Sequence, residues 1–313
     1  MLQKIREPKS CLELIQKINN VNPKLRSEKI IFSGVGIKDV YNISAPFEDE
    51  GELVIAGRVE ARSELISDIV FFVYRDGVWT PREKTISFKL QDPFYTWIGN
   101  ELVFGGVEVY TDAHHNITSW RTLFYRGVCI NDLKLFATGP LNMKDIRLVE
   151  ITSGRIGILT RPHGLPDARA KIGYIEIQSL DELSEEVIAS AHLFSDQFLK
   201  DEWGGANEAI LLKNGLIGVL GHISYKDGNE NLHYHSMTFA LNPNTMEKTS
   251  IMIIATRNNF LEGPAKEDRL YDVIFSGGIV RLRDGLAYLY AGVSDAEAHR
   301  LLITDPFLEY EVL

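Results

Sequence analysis

The feature that most constrains this chain is a five-fold recurrence. Aligned on a tight turn, GELVIAGRVE (51–60), NELVFGGVEV (100–109), GRIGILTRPH (154–163), GLIGVLGHIS (215–224) and GLAYLYAGVS (285–294) share one layout. A turn residue opens each, an apolar strand follows, and a small or functional residue sits at the strand's far end. A second strand-like stretch precedes each: YNISAPF (41–47), QDPFYTWI (91–98), DIRLVEIT (145–152), GANEAILLK (205–213) and DVIFSGGIVRL (272–282). The turns lie 49, 54, 61 and 70 residues apart. A sheet unit recurring five times at such a period predicts an all-β fold, a five-bladed β-propeller with long loops. A β-sandwich would show turn signals every ~8–12 residues without this recurrence. No Pro/Gly/Ser-rich linker splits the chain into two β domains. One propeller domain is expected over 1–313, with residues 1–28 as a short helical N-terminal extension. There SCLELIQKINN (10–20) carries apolar residues at helical spacing behind Ser10 as N-cap.

Composition narrows the partners. With 45% hydrophobic and 24% charged residues the chain has the make-up of a soluble globular protein. A formal charge of −10 argues against a nucleic-acid binder, though not against a local basic pocket for one small anion. Two cysteines, Cys11 and Cys129, make no disulfide framework and fit a reducing compartment. The N-terminal residues lack the apolar core of a signal peptide, and aliphatic runs stop at about five residues, far short of a membrane span. A cytoplasmic protein without membrane contact is expected. Homo-oligomerisation is left open.

In a propeller the innermost strands line one axis, so residues at their starts, and at the ends of the strands that follow, converge on one face. That set comprises Asn42, Arg58, Asp92, Arg161, Glu208, His222 and the Ser276-Gly277 pair. Asp92 in such a cleft is a candidate general acid or base. Its structural alternative is a solvated residue capping the strand entry. Arg161, His163, Lys171 and His222 bring guanidinium, imidazole and ammonium groups, which suit an oxyanion such as phosphate or carboxylate. For His163 a plain loop position is the better reading, and Arg161 could instead pair structurally with a carboxylate. Asp112, His114 and His115 in TDAHHN, and His233 and His235 around Tyr234, raise a metal site. No cysteine or acidic partner recurs with them, so no metal is expected. The glycines of GGAN and GGIVRL read as turn glycines, since neither pair opens a helix. Tyr95, Trp97 and Trp203 either stack on a sugar at the mouth or pack between blades.

These motifs resemble a known group. QDPFYTWIGNELVFGG resembles the Glu-Asp-Pro-Arg segment of family 130 glycoside hydrolases, mannoside phosphorylases on a five-bladed propeller. ILTRP resembles their His-Arg-Pro strand, GHIS their Tyr-His-Gly strand, and DVIFSGGIVRLRDGLAYLYAGVSDAEAH their last-blade segment. The nearer resemblance is to the family described as domain of unknown function 1861. It is related to family 108 glycosyltransferases, which are β-1,2-mannosyltransferases and mannooligosaccharide phosphorylases. The likeness runs through roughly residues 30–305. It implies that Asp92 is the catalytic acid, protonating the leaving group directly or through a sugar hydroxyl. It implies phosphate binding by Arg161, Lys171, His222 and Tyr234, and sugar contacts from Asn42, Arg58 and Asp295. Gln91 departs from the usual Glu, and Phe275-Ser276-Gly277-Gly278 from the Phe-Pro-x-Gly run.

The residues agree with this on one point of mechanism. A hydrolase needs two carboxylates flanking the bond. A phosphorylase needs one, because the phosphate dianion is the nucleophile, and cations must line its place. One acid facing several cations suits phosphorolysis, and together with the resemblance it implies reversible mannosyl transfer between a β-mannoside, expected to be β-1,2-linked, and inorganic phosphate, with no other cofactor. Hydrolysis by Asp92 with Glu208, and a non-catalytic carbohydrate-binding propeller, are the alternatives.

Overall fold

Five antiparallel sheets, four of them built from consecutive strands, stand around one axis in the computed structural model, which describes residues 7–19, 26–64, 66–114, 116–152, 154–162 and 171–313. The fold is the expected five-bladed propeller. Blade I pairs Asp39–Tyr41 and Phe47–Asp49 with Glu52–Glu60, then adds Asp68–Arg75 and Val78–Pro81. Blade II runs through Gln91–Ile98, Glu101–Thr111, Ile117–Gly127 and Lys134–Thr138. Blade III holds Arg147–Glu150, Ile156–Thr160, Gly173–Ile177 and His192–Leu193, and blade IV holds Glu202–Leu211, Ile217–Lys226, Leu232–Leu241 and Met252–Ala255. The five aligned stretches supply the second strand of each blade, as their apolar runs require: a second strand has a neighbouring blade on both faces. Val54, Ile55 and Ala56 are accordingly all fully buried.

Blade V departs from the expected plan. Ile274–Arg281, Leu286–Val293 and Glu297–Thr304 are joined by Arg26–Lys29 from the chain's other end, in antiparallel register from Arg26↔Leu302 to Lys29↔His299. The extension expected over 1–28 is thus corrected: Arg26, Ser27 and Glu28 belong to a blade and close the ring. Arg300 donates from Nε and Nη2 to Glu28 Oε2 at 2.8 and 2.5 Å, and Lys29 pairs with Glu297 at 2.9 Å. A four-residue polar strand, RSEK, carries too weak an apolar pattern to be read as an element from sequence.

The helix Cys11–Asn19 forms as expected behind Ser10. Ser10 Oγ accepts from Glu13 N–H while the Ser10 N–H donates to Glu13 Oε2 at 2.8 Å, a reciprocal cap. Its apolar stripe of Cys11, Leu14 and Ile18 packs on blades III and IV. Each such side chain contributes about 1.5–3 kcal/mol on burial.

The core is divided into five clusters, one between each pair of neighbouring blades. Phe47, Val54 and Phe71 meet Leu102 and Phe104 between blades I and II. Phe94, Val103 and Phe124 meet Ile146, Leu148 and Ile158 between II and III. Val40, Ile43, Ile55 and Phe72 meet Tyr290 and Ala298 where V closes on I. Every blade is therefore held from two sides, and the axis is left to whatever the inner strands point into it.

Three of the inner strands are distorted. Register shifts interrupt the pairing of Gln91–Ile98, Glu202–Leu211 and Ile274–Arg281 with their neighbours. The glycines read as turn residues lie inside these strands, which corrects that expectation. A Cβ on Gly277 would stand 1.6 Å from the Ile43 carbonyl oxygen, and one on Gly205 would stand 2.6 Å from Asp145 Oδ2. They are glycines because the blades crowd at the axis, not because the chain turns there.

Candidate active site

Four residues at the mouth of the axis hold left-handed backbone conformations without being glycine: Asn42 (φ 44°), Asp92 (φ 51°), Asp145 (φ 58°) and Asp295 (φ 48°). Asn and Asp tolerate this region best, so the backbone explains the residue types. It does not explain their surroundings. Asn42, Asp92 and Asp145 are buried, Asp145 to 1% exposure, and all four line one cavity of about 110 Å³. Unpaired carboxylates do not stay buried without a compensating field. Lys144, Arg58 and Arg161 line the same cavity and supply it.

Asp92 takes its hydrogen bonds on one oxygen and has a cation beside the other. Asn42 Nδ2 donates to its Oδ1 at 2.9 Å, Arg58 Nη1 reaches Oδ1 at 3.3 Å, and Lys144 Nζ stands 3.7 Å from Oδ2. Burial pushes this carboxyl up, but Lys144, Arg58 and the Asn42 amide together hold it below the usual carboxylate range. Arg58 is fixed from behind: its Nε and Nη2 donate to Glu60 Oε2 at 3.0 and 2.6 Å, its Cζ lies 4.9 Å above the Tyr41 ring, and Lys266 bonds the other Glu60 oxygen. Asp295 lies beside this group. Burial raises its pKa, and Arg58 only partly offsets this.

Asp145 is held differently. Arg161 Nε stands 2.8 Å from Asp145 Oδ2, and His222 Nε2 stands 3.8 Å from the same oxygen. Neither approach has hydrogen-bond geometry, so both Asp145 oxygens, Arg161 Nε and His222 Nε2 have no hydrogen-bond partner. Burial works against the charge, yet the Arg161 and Lys144 cations hold Asp145 well below the usual carboxylate range. On His222 the Nδ1–H donates to Asn207 Oδ1 at 2.9 Å. Burial pushes the imidazole down to about 3, so it is neutral. Its ring stacks on Tyr234 at 5.3 Å, and Tyr234 Oη accepts from Trp203 Nε1 at 3.1 Å.

The structure therefore brings together Asn42, Arg58, Asp92, Arg161, His222, Tyr234 and Asp295. Lys171, half-buried ahead of Gly173–Ile177, is not among the residues lining the cavity. Nor is Glu208, which accepts the Ile279 N–H at 2.8 Å and is pushed up to about 7 by burial. The pairing of Asp92 with Glu208 for hydrolysis is thus corrected: the carboxylates sharing the cavity with Asp92 are Asp145 and Asp295. Ser276 ties blades IV and V, donating to Gly221 O at 3.2 Å and to Ser236 Oγ at 2.9 Å. Tyr95 packs on Phe47 between blades and Trp97 sits exposed beside the distant hairpin, so of the three aromatics only Trp203 reaches the site. His233 and His235 share one strand face, as period two requires, but it turns away from the cavity to Asp272. Asp112 accepts the His114 and Asn116 N–H groups within its own loop. His115 and His163 lie outside the described residues.

Lys144 and Asp145 were not anticipated. Asp145 opens DIRLVEIT nine residues before its turn residue, as Asn42 does before its own, and Asp92 stands eight before, so the alignment contained the signal.

Comparison with known proteins follows the same line. Residues 17–309 match the family model described as protein of unknown function (DUF1861). A mannose phosphorylase from Leishmania mexicana, in complex with phosphate ion, is 35% identical with TM-score 0.89 over 96% of this chain and 94% of that one. A GDP-Man-dependent mannosyltransferase from Leishmania mexicana is 36% identical with TM-score 0.87, covering 95% of each chain. A β-1,2-mannobiose phosphorylase from Listeria innocua, 14% identical with TM-score 0.63 over 94% of this chain and 95% of that one, shares the fold. A search of curated proteins returns no match. With the model matching nearly its whole length and the same propeller in each of these structures, the chain belongs to the DUF1861 family.

Proposed function

We propose that this enzyme transfers a mannosyl residue reversibly between a β-mannoside, β-1,2-linked by preference, and inorganic phosphate. The observation that carries the reading is one cavity in which a buried carboxylate, Asp92, faces a flank of Lys144, Arg161 and His222. A phosphate oxygen attacks the anomeric carbon, the glycosidic C–O bond breaks, and the departing oxygen takes a proton that originates on Asp92, directly or through a sugar hydroxyl. Asp92 ionises easily while Lys144 and Arg58 face it alone. The negative charge of phosphate beside Lys144 opposes that field and raises the carboxyl towards a proton-holding state. Asn42, Arg58 and Asp295 then face the sugar. Arg161, Lys144, His222 and Tyr234 surround the anion. No cofactor besides phosphate is needed, and a cytoplasmic location fits two free cysteines. The phosphate complex of the phosphorylase that is 35% identical supports the anion assignment.

The test incubates the protein with β-1,2-mannobiose, with and without phosphate, and measures mannose 1-phosphate. Phosphate-dependent product is expected, and mannose release indifferent to phosphate would overturn the reading. Because a relative of similar identity uses GDP-Man, a parallel incubation supplies GDP-mannose and a mannose acceptor. Transfer there without phosphate turnover would favour a nucleotide-sugar transferase.

A further inference from the structure

An anion site usually offers donors. This one also presents acceptors. Asp145 is a carboxylate at 1% exposure, and neither of its oxygens has a hydrogen-bond donor. It opens onto the cavity between Arg161, 2.8 Å away, and His222, 3.8 Å away. His222, which also lines the cavity, gives its Nδ1–H to Asn207, which leaves its buried Nε2 a bare acceptor. Blade IV leaves room for this arrangement by having glycine at 205, where a Cβ would meet Asp145 Oδ2 at 2.6 Å. A carboxylate serving only to neutralise Arg161 would be expected to take hydrogen bonds from that guanidinium, yet here it takes none.

We propose that Asp145, with His222 Nε2 beside it, reads the proton of the bound oxyanion, accepting the P–OH of hydrogen phosphate and so excluding tetrahedral anions that carry none. The inference rests on the phosphate reading of the cavity. Hydrogen phosphate carries a proton at neutral pH, as does arsenate, whereas sulfate does not. For sulfate the same carboxylate is an unpaired like charge facing the ligand, the repulsive element on which specificity commonly depends. No bond to phosphorus changes and the proton stays on the anion. The same logic sets inorganic phosphate above the diphosphate of a nucleotide sugar, which has no P–OH to offer.

The experiment titrates phosphate, arsenate and sulfate into the wild type and Asp145→Asn at pH 7 and constant ionic strength. Asparagine keeps the shape and tolerates the left-handed backbone. The wild type is expected to prefer phosphate and arsenate over sulfate by about 10²-fold or more, as sites that depend on one hydrogen bond do. Asp145→Asn should lower that ratio about tenfold or more, with sulfate gaining. If Asp145 merely balances Arg161, the variant binds all three more tightly with the ratio unchanged, and the proposal falls. Equal affinities in the wild type overturn it without any variant, so a misfolded Asp145→Asn protein would not shelter it, and the phosphate reading would stand. A wild type that binds neither phosphate nor arsenate removes the phosphate reading and this inference with it.

Discussion

The two halves of the cavity are built on the same backbone device and finished in opposite ways. On the Asp92 side, blades I and II bury a left-handed aspartate and surround it with donors: Asn42 and Arg58 touch it, and Glu60, Ser67 and Lys266 hold Arg58. On the Asp145 side, blade III buries another left-handed aspartate and leaves it, Arg161 Nε and His222 Nε2 without hydrogen bonds. In the first half, the buried side-chain atoms without a hydrogen bond among the described residues are Tyr41 Oη and Asn42 Oδ1. Buried polar atoms without partners are costly, about 1–3 kcal/mol each. Their concentration in one half marks where a ligand's own donors and acceptors belong. Strain alone would not have separated the two halves; hydrogen bonding does.

The largest effect should come from the finished half. Asp92→Asn is expected to lower kcat by about 10²–10⁴, the usual worth of a general acid, with little change in the phosphate KM. Loss of phosphate binding instead would mean that the halves are not separate. On the open half, Arg161→Lys keeps the charge but loses the planar fork. It should raise the apparent phosphate KM about tenfold, roughly 1.4 kcal/mol, while kcat in saturating phosphate stays close to wild type. An unchanged phosphate dependence would remove Arg161 from the anion site. The smallest effect belongs outside both halves. The Glu208 carboxyl is pushed up to about 7 by burial, so between its unfolded value and 7 the unfolded chain gives up its proton first. Stability contributed by this group therefore falls as pH rises through that window and stays reduced above it. Glu208→Gln, which still accepts from Ile279 N–H, should flatten the fall and stabilise the protein at pH 8 by about 1 kcal/mol relative to pH 4.5, read by thermal melts. A large drop in kcat in this variant would return Glu208 to the chemistry.

Much of this was legible in the chain because it repeats. Five aligned strands fixed the blade count, and Asn42, Asp92 and Asp145 fall within one residue of the same place in that alignment. Asp145 was passed over because its stretch lacks the Asp-Pro signal that makes Asp92 conspicuous. Lys144 and Asn207 carry no pattern of their own: a lysine before a strand and an asparagine within one are ordinary until a neighbour faces them. Glu208 illustrates the converse. It lies on an inner strand, but beside the bulge at 206–208 its side chain takes the Ile279 N–H of blade V. A one-residue shift in register reverses the face a side chain takes.

What the sequence determined by itself is the set of local preferences: apolar runs that must be covered on both faces, turns that space them, and Asn or Asp where the backbone turns left-handed. What only the tertiary structure decided is which groups meet. The closure of blade V by Arg26–Lys29 brings together residues some 270 positions apart, as in the Arg300–Glu28 bond. Asp92 gains donors from blade I and from Lys144, whereas Asp145 gains a cation and an imidazole but no hydrogen bond. Those outcomes depend on distances of a few ångströms between blades, over which electrostatic energies and hydrogen bonds change by their whole value, and no local pattern in the chain encodes them.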